Sequence, residues 1–154
     1  MELHAWGALY AGFFATLAML LAMYVFVLLR LAFDMPRLLG FLFTGPENLP
    51  VAYVLGFGGT FTMGVLFAFF YAFFFAQFRW PLEWDTGPWL GLVHGLVAAG
   101  LLGFLPLVHP RMGEGRPLGR PGPFGTGFGM LVPLGTILLH MLYGLVLGAV
   151  YGPA

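Results

Sequence analysis

From Thr136 to Gly152 the chain carries no charged side chain and a single histidine, His140. A run apolar on every face at that length is too long for a buried helix of a small soluble domain. It suits a bilayer, whose hydrocarbon core of about 30 Å takes roughly 20 helical residues. Three further stretches share the property, so four spans are expected at about 6–29, 51–78, 88–108 and 127–151. Little of the 154 residues is left for a soluble domain. Composition points the same way. The chain is 60% hydrophobic and 8% charged, where soluble domains run at about 25% charged. The expectation is an all-α membrane protein with four transmembrane helices and no nucleic-acid partner.

The residue inventory removes several chemistries. Cys, Ser and Lys are absent, so thiolate metal sites, serine or cysteine nucleophiles and lysine Schiff bases are excluded. Gly125-Thr-Gly127-Phe-Gly129 superficially resembles a phosphate loop, but it lacks a preceding strand, the right spacing and a Lys. No HExxH or paired-carboxylate pattern occurs. No Asp, Glu or Arg falls inside an expected span, which counts against a charge-coupled transporter, since such proteins keep an ionisable residue where charge must move. The reading is therefore of a chain that is not an enzyme.

Orientation follows from the arginines. The connections after the first and third spans share a side and hold Arg30, Arg37, Arg111, Arg116 and Arg120; the other side holds Arg79. The positive-inside rule places those five arginines in the cytoplasm and both termini outside. Trp6, Trp80, Trp84 and Trp89 then all fall at the outer interface, as an anchoring belt. Met1-Glu2-Leu3-His4 offers no basic n-region, so the first span reads as uncleaved. The loop arginines read as ordinary topology determinants, with an anionic-lipid or partner patch as the alternative. In loop 1, Asp34 is placed to cap a short interfacial helix with Pro36 in its first turn. His109-Pro-Arg111 to Gly125 is too rich in Gly and Pro for regular structure.

Within the spans the ionisable candidates are His94 and His140. Either each bridges helices through one hydrogen bond, with Thr60, Thr62 and Thr136 as available partners, or the pair binds a cofactor, a haem or a metal. His140 falls near mid-depth and His94 about four residues outward, depths that permit a shared ligand without favouring one. Two ladders of small residues accompany them: Gly87, Gly91 and Gly95 in the third span, and Gly144, Gly148 and Gly152 in the fourth. In a chain with 24 Gly the spacing alone is weak evidence. Both ladders fall in the same outer half, however, so a close antiparallel helix contact is expected there, or a face for a second protomer. The second span begins with Gly56, Gly58, Gly59 and Gly64 and becomes strongly aromatic from Phe67 to Phe75, with part of that surface left to lipid or a partner. Gly64 to Ala72 aligns with Gly144 to Gly152, and Gly7 to Ala11 more weakly with Gly91 to Gly95. Two tandem two-helix hairpins would account for this; chance likeness between apolar helices is the alternative.

Trp89-Leu-Gly-Leu-Val-His94-Gly95, Pro123-Phe-Gly125, and the final span reading His140, three residues, Gly144, three residues, Gly148, then Tyr151-Gly152 resemble a family of small bacterial four-span inner-membrane proteins of unknown function. The resemblance covers mainly residues 89–152, with a weaker echo in Ala11-Gly12 and Ala15-Thr16. It implies the four-span architecture and a bacterial inner membrane, and supplies no mechanism. Thr60 stands where the family pattern often has a second-span histidine ahead of Gly64.

The leading expectation is thus a non-enzymatic structural or accessory subunit without a cofactor, packing in the bilayer as a homo-oligomer or against other membrane subunits. A minimal homodimeric transporter or channel is the first alternative, drawing on the repeat and on the glycines at 56–59 and 125–129. A haem- or metal-binding redox protein using His94 and His140 is the second.

Overall fold

The computed structural model describes residues 4–151, and within them the chain is helical with no strand. Helix α1 spans Ala5–Leu28, α2 Met35–Gly40, α3 Leu49–Gln77, α4 Gly87–Leu102 and α5 Val132–Tyr151. Short 3-10 turns cover Pro46–Asn48, Leu105–Leu107 and Pro123–Phe128. Three segments are long and apolar enough to cross a membrane: Ala5–Leu28, Pro46–Gln77 and Val132–Tyr151. The third expected span is shorter than its apolar run. Helix α4 has 16 residues, a rise of about 24 Å. It stops because Gly103 weakens the helix and Pro106 has no N–H to return to the Leu102 carbonyl. Helix α5 begins at Val132, not near 127, because Phe124, Gly125 and Gly129 have positive φ. Pro133, in its first turn, is pre-set for a helical start.

The bundle is built small side inward. Ala8, Ala11, Gly12, Ala15 and Thr16 line the buried face of α1. Ala52, Gly56, Thr60, Gly64, Ala68 and Ala72 line that of α3 at a strict spacing of four. Gly87, Gly91, Gly95 and Ala99 do the same for α4. The outer surface carries the bulk: Phe13, Phe14, Leu66, Phe70 and Phe73 are exposed. Small residues along these stripes permit the close approach of one helix backbone to another.

Helix α1 packs between α3 and α5, and α5 also packs along α4. A Cβ on Gly12 would stand 2.7 Å from the Ala68 Cβ, and one on Gly64 would collide with the Thr16 hydroxyl. Helices α3 and α4 have no comparable backbone contact; aromatic side chains bridge them. The alignment of the two halves is not matched by equivalent contacts: Gly7 lies against the Tyr151 ring, whereas Gly91 lies against the His140 carbonyl.

Helix α2 forms as its cap residues anticipate, with Asp34 Oδ1 accepting from the Arg37 N–H at 3.1 Å and Pro36 in the first turn. It packs closely on α3. A Cβ on Gly56 would fall on the Pro36 carbonyl, and one on Gly40 on the Ala52 carbonyl. The first glycines of α3 therefore receive α2, and α3 runs through Gly56–Gly59 as unbroken helix.

Both long helices end alike. Arg30 follows α1 with φ 60° and Arg79 follows α3 with φ 53°. In each case the next N–H reaches back to close the end, Leu31 to the Phe26 carbonyl at 2.8 Å and Trp80 to the Phe75 carbonyl at 3.0 Å. This is the left-handed cap that glycine ordinarily supplies.

Candidate functional site: the His94–His140 pair

The α4–α5 contact sets the site. A Cβ on Gly87 would meet the Gly144 carbonyl, one on Gly91 the His140 carbonyl, and one on Gly95 the Ile137 Cα at 2.7 Å. Gly148 faces the Glu83 carbonyl in the connection before α4. The two ladders are therefore spent inside the chain; Gly152 lies outside the described residues.

That register puts His94 beside His140. The ring centres are 4.5 Å apart and the rings meet edge to face. Their mid-helix positions, eighth of 16 residues in α4 and ninth of 20 in α5, put both near the middle of the bundle. The antiparallel register cancels the difference in depth expected from apolar run lengths. Both side chains are half-buried.

Each ring is held by its Nδ1. His140 Nδ1 lies 2.7 Å from the Thr136 carbonyl. A carbonyl only accepts, so this nitrogen carries the proton and Nε2 offers a lone pair. His94 Nδ1 lies 3.2 Å from the Tyr71 hydroxyl. Tyr71 is fully buried and has no other partner among the described residues, so its O–H donates and His94 carries its own proton on Nε2. The Phe67 ring sits 4.2 Å from the His94 ring and forms the α3 side of the cluster. Tyr143 packs edge to face on Tyr71 and donates to the Gly64 carbonyl at 2.5 Å.

Among the described residues neither Nε2 has a partner. Neither is fully enclosed, since among the described residues no buried side-chain nitrogen or oxygen lacks a hydrogen bond. The pair therefore leaves one N–H and one lone pair unused near the middle of the bundle. Trans ligation of a haem iron would hold two imidazole centres roughly 6 Å apart, given N–metal bonds of about 2.0 Å. Rings touching at 4.5 Å leave no room for the macrocycle. A group of three or more His, Cys, Asp or Glu suited to a metal ion is absent among the described residues. No family model, curated protein or solved structure matches the chain.

Of the anticipated partners, Thr136 serves through its main-chain carbonyl. The Thr60 and Thr62 hydroxyls instead bond the Gly56 and Gly58 carbonyls of their own helix. Tyr71 and Tyr143 were not singled out by sequence. The available signal was Tyr71's place beside Ala72 on the buried stripe, within an aromatic run read as partly left to lipid or a partner.

The two ends of the bundle differ. Contacts of Gly135 with the Leu31 carbonyl, and of Gly129 with that of Arg30, bring the connections after α1 and α4 to one end. Arg30, Arg37, Arg111, Arg116 and Arg120 lie there, with Asp34, Glu47 and Glu114. Trp6, Trp80, Trp84 and Trp89 lie at the other end and are all exposed. Arg79, Glu83 and Asp85 accompany them.

His109 has a role its sequence context did not reveal. It is buried; its Nδ1 accepts from the Arg111 N–H at 3.2 Å, so its Nε2–H donates to the Leu38 carbonyl at 3.0 Å. The Arg111 guanidinium donates to the Phe41 carbonyl at 2.9 Å. Together they clamp the connection after α4 onto α2. Arg116 donates to the Pro110 carbonyl, and Arg120 pairs with Glu114 at 3.1 Å at the exposed rim.

Proposed function

We propose that the chain is a four-pass integral protein of a bacterial inner membrane, a structural or accessory subunit with no catalytic chemistry of its own. In this reading the arginine end is cytoplasmic, and the start of α1 and the end of α5 are outside. Helix α4 begins beside the second half of α5, at Gly87 and Gly144, and α5 begins beside the end of α1, at Gly135 and Leu31. Residues 87–131 run between the tryptophan end and the arginine end, which supports reading them as the fourth crossing, with the short α4 extended by the Leu105–Leu107 turn. Membership of the small four-span family that residues 89–152 resemble fits this plan.

One observation carries the accessory role. The polar groups inside the bundle are neutral and engaged in holding helices, while α1 and α3 turn a broad surface of Phe and Leu outward. Because the glycine ladders are spent within the chain, a partner subunit would meet this bulky surface. Native mass spectrometry after gentle extraction from the protein's own membrane tests the role. Other membrane subunits in the recovered complex support it; a bare monomer under conditions that preserve other complexes overturns it. Orientation has its own test. Single cysteines placed at Arg116 and Asp85, in a chain without native Cys, should react with an impermeant maleimide from the cytoplasmic and outer sides respectively.

A further inference from the structure

We infer that the Nε2 edges of His94 and His140 form a binding site for the headgroup of a membrane quinone. Both rings are already oriented through Nδ1, His140 on the Thr136 carbonyl and His94 on the Tyr71 hydroxyl. The atoms left over are complementary to a quinol: one hydroxyl donates to the lone pair on His140 while an oxygen accepts the N–H of His94, whereas the oxidised quinone, whose carbonyls only accept, engages His94 alone. At mid-bundle depth there is no water to satisfy them, and an unmet polar group in hydrocarbon is costly. Neighbouring outward residues, Val93, Val97 and Leu138, are exposed and apolar, so a ligand reaches this level through lipid.

The surroundings narrow the chemistry further. No charged side chain lies in α4 or α5, so the ligand is neutral. A divalent ion held by two neutral rings would bring an uncompensated double charge into the apolar layer. The wall offered by α3 is aromatic, with Phe67 against the His94 ring and Tyr71 behind it, which favours a flat, conjugated headgroup. A lipid-soluble, planar, uncharged molecule with carbonyl or hydroxyl groups describes a quinone. The inference concerns binding, and stands whether or not the chain has partner subunits.

The test is titration of the full-length protein in lipid nanodiscs with decylubiquinol kept reduced, followed by partial oxidation with ferricyanide to trap its semiquinone for pulsed EPR. Binding should saturate at one quinol per chain above simple partition, and the radical should show nitrogen hyperfine coupling from imidazole. His140→Leu and His94→Leu should each weaken quinol binding about tenfold, as expected for one lost hydrogen bond in an apolar site, and each should remove one of the two imidazole nitrogen couplings. Should a leucine variant fail to fold, the wild-type radical decides alone: no nitrogen coupling overturns the site. Non-saturating uptake that is equal in wild type and variants also overturns it. So does a nanodisc that holds two chains in the wild type and one in His140→Leu, because the free nitrogens would then face a second copy.

Discussion

Gly87 and Gly144 stand backbone to backbone: a Cβ placed on either would fall on the carbonyl oxygen of the other. This reciprocal contact is the tightest point of the α4–α5 pair, and it sets the register that brings His94, seven residues on along α4, to His140, four residues back along α5. Neither backbone can retreat without dragging its helix.

Replacing Gly144 with Leu should therefore cost more than the roughly 1–3 kcal/mol usual for overpacking, because the obstacle is main chain and not a movable side chain. The expected outcome is loss of the cooperative unfolding transition in detergent, followed by circular dichroism. Gly58 supplies the contrast. Nothing lies within 4 Å of a Cβ there, so Gly58→Ala should stabilise α3 by about 0.5–1 kcal/mol through helix propensity.

Tyr143→Phe removes one hydroxyl while keeping the ring that packs on Tyr71. The lost hydrogen bond to the Gly64 carbonyl should cost about 0.6–2 kcal/mol, the range for interhelical bonds in membranes. Reversible unfolding in mixed micelles measures it. A change near zero would mean that the Gly64 carbonyl is satisfied within α3 alone.

His109→Ala breaks both bonds that the imidazole makes. Residues 109–121 should exchange amide hydrogens faster, while amides of α1, α3 and α5 keep their protection. Hydrogen–deuterium exchange read by mass spectrometry distinguishes this local release from global loss of stability. Uniformly faster exchange would contradict the clamp.

Arg79→Gly should raise stability by about 1 kcal/mol, since Arg79 holds a positive φ that costs a side-chain-bearing residue roughly 1–2 kcal/mol. A raised unfolding midpoint with unchanged helix content is the expected result.

The sequence by itself determined that this chain is helical, with apolar runs long enough to cross a membrane, because stretches of that length without internal charge leave few other solutions. Asp34 and Pro36 marked the short α2, since a cap and a pre-set φ are local properties. Where helices stop was less legible. Hydropathy continues through residues 103–108 and 127–131, but a proline without an N–H and residues at positive φ do not propagate a helix. The pairing of His94 with His140 was decided only by tertiary structure. Depth counted along each apolar run set the two apart, whereas the contact of Gly87 with Gly144 fixes how α4 slides along α5. The same holds for Gly56, which receives the Pro36 carbonyl of α2, and for His109, whose acceptor is 71 residues away. Each is a matter of which backbone comes near, and a linear pattern of small residues shows that an approach is permitted without showing by what.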